Sequence, residues 1–308
     1  MEHVNVRHDT PAQRSGVSSM GGYSPVVTDD DGSVQVHLTA DHPGFSDPLY
    51  RERRNDIARL SLDFHPGDPI PSVDYTDQEH EVWHIVSEEL SPAHERHACS
   101  AFLGAKESLG LPVDHIPQLT QVTDLLQPQT GFGYLPVAGL APLREFYGAF
   151  AMHTFFSTQY IRHPSVPRYT PEPDIIHEVI GHANQLADPR FAEICRAVGD
   201  AVTRSKSPKS LEFLSRVFWF TLEFGVVFEE GQPKAYGAGI LSSIGELEEF
   251  QDATIRPLDF KEMGREDYDI TRYQPVLYSL QSMNELYDRL LEFYSTYDDE
   301  VHRSLTAA

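Results

Sequence analysis

Cysteine is nearly absent: two stand in 308 residues, too few for a disulfide framework. Cys99 and Cys195 read as small buried hydrophobes, and a reducing cytoplasm is the expected compartment. Basic residues are scarce as well. Lys and Arg number 24 against 47 Asp and Glu, a net charge of −23. A surface so acidic repels phosphate backbones and anionic lipid, so neither nucleic acid nor a membrane is an expected partner. Long apolar runs are missing too. The most apolar stretch, Val217 to Phe228, holds Glu223 and falls well short of the ~20 residues that span a bilayer. Met1 to Thr10 is polar with no apolar core, so no signal peptide is read there. No repeat and no sustained heptad occurs, which excludes solenoids and a coiled-coil tail.

What remains is a chain 40% apolar and 11% aromatic, enough for a full core. Residues 1–40 are polar and without period, and are expected to form a flexible N-terminal leader before one ordered domain over 41–308. Helices are expected from Tyr50 to Leu60, from a capped start at Thr76-Asp-Gln-Glu79 to His97, and over Ala98–Leu109. Others are expected at Ile116–Leu126 (closed by Thr130-Gly131), Leu143–Thr158, from Pro189 to about Ala201, Leu211–Glu229, Ser243–Phe250 and Met283–Tyr297. The prolines of residues 64–73 predict a loop. Pro136-Val-Ala-Gly-Leu140 predicts a bent loop, and Ser205 to Ser210 a polar turn. Strand is expected only at Gln232–Tyr236 and in Ile270–Leu280. The fold class is therefore mostly α with small β elements, in a single domain.

The chemistry concentrates in Tyr169-Thr-Pro-Glu-Pro-Asp-Ile-Ile-His-Glu-Val-Ile-Gly-His182. His177 and His182 are five residues apart. The zinc-protease signature spaces its histidines by four, on one helix face, with a glutamate as base. At a spacing of five, an ideal helix turns the second ring roughly 140° from the first. Either the helix distorts or the metal sits beside it, and Gly181 is the residue placed to permit this. Glu223, inside Phe218-Trp-Phe-Thr-Leu-Glu-Phe-Gly225, is a carboxylate among apolar neighbours, costly to bury unless a cation neutralises it. Two histidines and a carboxylate leave positions open for dioxygen or water, the arrangement of non-haem iron(II) oxygenases. Nitrogen and oxygen donors alone suit zinc or manganese as well, so a zinc hydrolase with Glu178 as base stays open at this point. The glycines at 237 and 239 would let backbone approach a ligand.

Eight blocks together resemble the pterin-dependent aromatic amino acid hydroxylases. They are His42-Pro-Gly-Phe45, Ile116-Pro-Gln-Leu119, Pro136-Val-Ala-Gly139, Thr158-Gln-Tyr-Ile-Arg-His163, Thr170-Pro-Glu-Pro-Asp174, His177 to His182, Trp219 to Gly225 and Ala235 to Ser243. They follow the family's order over residues 40 to 296. The resemblance implies the family's catalytic fold and an iron monooxygenase that uses tetrahydropterin and dioxygen. It also implies roles. His177, His182 and Glu223 would hold Fe(II). Phe146 would stack on the pterin, with Gly139, Leu140, Glu178 and Phe218 on the cofactor side. Arg162 would pair with the substrate carboxylate, while Thr170, Pro173, Trp219, Phe224, Gly239 and Ser242 would shape the amino acid pocket.

Trp219 resembles the phenylalanine and tyrosine enzymes, and Ile270 stands where tyrosine hydroxylases carry Asp. Both imply free L-phenylalanine as substrate, with tryptophan or tyrosine as the alternatives. Ala183-Asn184-Gln185, Leu143 and Phe218 depart from the family pattern on the cofactor side, so hydroxylation at the meta or the para carbon is left open. With no regulatory domain expected before residue 40 and no coiled-coil tail, the resemblance implies a monomer or dimer without multidomain activation.

Overall fold

The computed structural model describes residues 24–29, 32–270 and 272–307. Helices dominate: α1 (Pro48–Leu62), α2 (Asp77–His97), α3 (Ser100–Leu109), α4 (Leu119–Thr130) and α5 (Leu143–Ala149) precede the metal motif. After it come α6 (Asn184–Leu186), α7 (Pro189–Arg204), α8 (Pro208–Phe218), α9 (Ala238–Leu241), α10 (Ile244–Glu249), α11 (Phe260–Met263), α12 (Met283–Thr296) and α13 (Asp299–Thr306). Local chemistry sets many of the ends. The Thr76 and Glu79 side chains cap each other's backbone reciprocally at the start of α2. Asp47, Asp188 and Ser207 cap α1, α7 and α8, each followed by proline at the first helical position. Gly131, at φ 80°, closes α4 in the left-handed region.

Among the described residues, three small sheets complete the fold. β1 (Val26–Thr28) and β2 (Val34–Val36) form an antiparallel hairpin; β3 (Gly133–Pro136) and β4 (Thr154–Ser157) run parallel. β5 (Val226–Glu229), β6 (Gln232–Ala235), β7 (Thr254–Pro257) and β8 (Val276–Leu280) make a four-stranded sheet ordered β6-β5-β8-β7. One large core cluster runs from Ile57 to Tyr297 and encloses both halves of the metal motif.

Three expectations are corrected. Within the expected leader, residues 1–23, 30 and 31 lie outside the described residues, but 24–29 and 32–40 are folded. Val34, Val36 and Leu38 alternate inward onto Ala58 of α1, and Asn55 accepts the Val36 N–H. Period-two alternation over so few residues is easily overlooked between polar neighbours. Second, the helix expected over 143–158 ends at Ala149. His153 adopts φ 53°, and Thr154–Ser157 pairs with β3, setting Phe155 against Tyr134. Third, the helix expected over 211–229 stops after Phe218. A π-helical segment, Trp219–Glu223, follows it, and the chain then enters β5. Thr154-Phe-Phe and Val226-Val-Phe are β-branched and aromatic residues that complete sheets, and tertiary pairing overrode the helical reading. Among the described residues, no helix is long and apolar enough to cross a membrane.

Candidate metal centre and its cleft

The histidine pair lies on a second π-helical segment, His177–Ala183. Its i→i+5 hydrogen bonds widen the turn, so that residue i+5 comes round over residue i. The anomalous spacing is thereby resolved: the two Nε2 atoms lie 3.1 Å apart. Gly181 sits at the contact that presses this segment onto α9. A Cβ there would meet the Ala238 carbonyl oxygen at 2.8 Å.

Glu223 ends the other π segment. Its carboxylate lies 3.1 Å from His182 Nε2 and 3.7 Å from His177 Nε2. One donor atom from each residue falls within 4.8 Å of the others. A triangle of this size has a point roughly 2 Å from all three donors, where a first-row divalent ion fits. Electrostatics agree with that fit. Burial pushes the His177 imidazole down to about 4, so it stays neutral and can ligate. Burial raises the Glu223 carboxyl, but the two imidazoles outweigh this and hold it below its ordinary value, as an anion.

Ser242, expected in the amino acid pocket, stands instead behind His177. Its hydroxyl donates to the Ala238 carbonyl at 2.8 Å and faces His177 Nδ1 at 2.9 Å. It therefore accepts the Nδ1–H and leaves Nε2 free for the ion. Gln185, one of the departures from the family pattern, braces the two π segments. Its Nε2 donates to the carbonyls of Leu222 and Tyr236 at 3.1 and 2.8 Å.

Arg162 is buried and paired to Asp174 through two 2.8 Å bonds, and Asp174 also accepts the His177 N–H at 3.3 Å. The guanidinium is thus held at the start of the metal segment. Trp219 stacks on Tyr268 at 4.2 Å and tilts against Phe224 at 4.4 Å; Ile270 lies two residues beyond Tyr268. Gly239 leaves the space that the Phe224 ring fills, since a Cβ would come within 2.6 Å of it. Thr170 turns inward, its hydroxyl donating to the Glu172 carbonyl at 2.6 Å.

A narrow cleft opens beside the centre. Phe146, Gly139, Leu140, Glu178 and Pro173 all line it, so the structure gathers four of the five residues expected on the cofactor side. Phe218 is the exception. It is buried in the core against Tyr147, with ring centroids 4.8 Å apart. Leu143, another departure, packs on the core as well. Thr158, not singled out from the sequence, also lines the cleft and donates to Glu178 at 3.4 Å. Burial, with the Glu223 charge adding to it, pushes the Glu178 carboxyl well above the usual carboxylate range.

A family model for biopterin-dependent aromatic amino acid hydroxylases matches residues 27–305. The chain belongs to that family. It is 47% identical to the phenylalanine 3-hydroxylase of Streptomyces coeruleorubidus over 84% of this chain and 93% of that one. It is 41% identical to the phenylalanine-4-hydroxylase of Dictyostelium discoideum over 84% of this chain, spanning 60% of that longer protein. Among solved structures it resembles the phenylalanine hydroxylase of Chromobacterium violaceum bound to cobalt, with a TM-score of 0.73 and 25% identity. That match covers 82% of this chain and 92% of the other. Family membership and the five-residue spacing on a π turn set aside the zinc hydrolase with Glu178 as base. The family's members are hydroxylases that depend on biopterin, and this chain carries the fold of a solved phenylalanine hydroxylase.

Gln274 and Glu246 were not legible in the sequence. Gln274 Oε1 accepts the Trp219 indole N–H at 3.2 Å, and Glu246 accepts the Gln274 backbone N–H at 2.9 Å. Glu246 is 7% exposed, and burial pushes its carboxyl up to about 7. The folded state thus holds this proton more tightly than the unfolded chain. Its stabilisation is complete below the unfolded value, about 4.3, and is lost as pH rises through about 7. Glu246→Gln keeps the acceptor and removes the charge. Melting curves should show the variant level with the native protein at pH 4 and more stable at pH 8, by on the order of 3 kcal/mol. Equal behaviour at pH 8 would show that the carboxylate is solvated.

Proposed function

We propose that this chain hydroxylates the ring of free L-phenylalanine, with Fe(II) held by His177, His182 and Glu223. The observation that carries the reading is the convergence of those three donors beside the cleft that Phe146 and Glu178 line. Iron, tetrahydropterin and dioxygen supply the oxidising chemistry when bound; the protein's share is placement and exclusion of water. Phe146 offers a ring face to the pterin, with the backbone at Gly139 and Leu140 along its edge. Arg162, aimed by Asp174, meets the substrate carboxylate, and Trp219 and Phe224 confine the substrate ring.

The hydroxyl goes to the meta carbon. Supporting this, the bacterial 3-hydroxylase is 47% identical across 93% of its length, and the Dictyostelium 4-hydroxylase is 41% identical across 60%. The test is turnover with iron, tetrahydropterin, oxygen and phenylalanine, the product being identified by NMR. meta-Tyrosine is expected. para-Tyrosine would overturn the ring position and leave the enzyme class standing, and no hydroxylated product would overturn both.

Trp219 favours phenylalanine over larger rings. Trp219→Phe should raise turnover of tryptophan relative to phenylalanine several-fold, the scale of a pocket enlarged by a few carbons. An unchanged ratio removes Trp219 as the discriminator. The protein works as a cytoplasmic monomer or dimer, which suits two buried, unpaired cysteines. A tetramer on a sizing column would contradict the oligomeric state.

A further inference from the structure

A second cavity, of about 290 Å³, lies on the far side of the metal segment, between α2 and α3. Its wall is apolar where Trp83, Leu90 and Ile180 line it, and polar in one corner formed by Ser87, Asn184 and Lys106. The polar corner is incompletely satisfied. Ser87 Oγ and Asn184 Oδ1 are buried and have no hydrogen-bond partner.

Lys106 is the cation of this corner. Its Nζ lies 3.0 Å from His94 Nδ1 and 3.4 Å from Ser91 Oγ. His94 Nε2 faces the Leu241 carbonyl at 2.7 Å, so Nε2 carries the hydrogen and Nδ1 accepts from the lysine. Burial drives the His94 imidazole down to about 3, with the lysine charge adding to this, and it stays neutral. Burial also lowers the Lys106 ammonium. Among the described residues no carboxylate comes within ion-pair distance of Lys106. Glu95 and Glu107 stand at the rim but are exposed, where salt screens them, as it screens the overall negative charge beyond about 8 Å.

A half-buried ammonium without an ion-pair partner, above an apolar wall, is complementary to one kind of ligand. We propose that this cavity binds a small monocarboxylate with an apolar body, the carboxylate on Lys106 and Ser91 and the body against Trp83, Leu90 and Ile180. The site is separate from the metal cleft but shares the metal segment with it. Ile180 and Asn184 flank His182, and Leu241, which holds His94, precedes the Ser242 that holds His177.

Octanoate serves as probe and 1-octanol as its uncharged counterpart, titrated calorimetrically into the iron-loaded full chain. Saturable one-site octanoate binding is expected, with octanol binding more weakly and with no competition from L-phenylalanine. Lys106→Met should weaken octanoate roughly tenfold, the scale of one charge-assisted hydrogen bond, at an unchanged melting temperature. Ser91→Trp, which fills the mouth from a half-buried position, should block it. The proposal is overturned by an absence of octanoate binding, by equal binding to either variant, or by displacement with phenylalanine. Because the readout is binding, it is independent of any outcome for turnover.

Discussion

Glu223→Gln should abolish metal loading and turnover together while leaving the metal-free protein folded. The carboxylate supplies the only negative charge in a donor set whose other members are imidazoles, which ligate in their neutral form. An amide of the same size keeps the packing and loses the charge. Outer-sphere changes around metal ligands cost roughly 10–100-fold in affinity. Loss of the charged donor should exceed that range, and Ser242→Ala, which frees His177 Nδ1, should fall within it. A ligand that binds only the folded state raises the melting temperature by mass action. Thermal unfolding with and without Fe(II) therefore separates the cases. The native protein gains stability on adding iron, the serine variant gains less, and the glutamine variant gains nothing. Without metal, Glu223→Gln should melt slightly below the native chain, because the imidazoles that hold the carboxyl below its ordinary value stabilise it as an anion and an amide loses that pairing. An iron-induced shift in Glu223→Gln equal to that of the native protein would show that the ion sits elsewhere.

Much of this centre was readable in the sequence, and what was not has a common physical cause. The Thr76–Glu79 capping box is local chemistry, and it fixes the start of α2 as read. The histidine spacing announced that either the helix distorts, with Gly181 placed to permit it, or the metal sits beside it, and the π-helical segment shows the first. The form of that distortion depends on where α9 lies, since Ala238 is the surface against which Gly181 packs. That contact joins residues 57 positions apart and is invisible to a local pattern. The same holds for the two aromatic stretches that read as helix: Phe155 and Val226 extend sheets whose partners, Tyr134 and Ser279, lie far away in sequence. Ser242 was read as pocket-lining, and its hydrogen bond to the ligand histidine was not foreseen, because a short hydroxyl can face a substrate or a histidine and only coordinates show the latter. Phe218 went to the core because α8 ends on it, and the π turn that starts at Trp219 sends successive side chains to different sides.

Gly237→Ala should be among the costliest single methyl groups that can be placed near the centre. Gly237 has φ −72°, a conformation that alanine adopts without strain, so its requirement for glycine is one of space. A Cβ there would lie 2.3 Å from the Glu223 carbonyl oxygen, 2.5 Å from its carbonyl carbon and 2.5 Å from the Gly225 nitrogen. All three are backbone atoms, and none can swing aside as a side-chain tip would. Two bonds, from the Tyr236 and Gly237 N–H groups to the Gly225 carbonyl, hold the strands of chain together at this point. The added methyl must therefore displace the turn that carries Glu223. Overpacking of this kind costs roughly 1–3 kcal/mol, and backbone contacts this close belong at the upper end. The displaced carboxylate should also lower iron affinity by roughly 10–100-fold, as other changes that misalign a ligand do. Gly104→Ala is the matched control. Gly104 lies inside α3 on the exposed face, and nothing stands within 4 Å of its would-be Cβ. Alanine there should raise stability by about 1 kcal/mol through helix propensity alone and leave iron binding unchanged. If both variants melt alike and bind iron alike, the close seating of the Glu223 turn on Gly237 has no part in shaping the site.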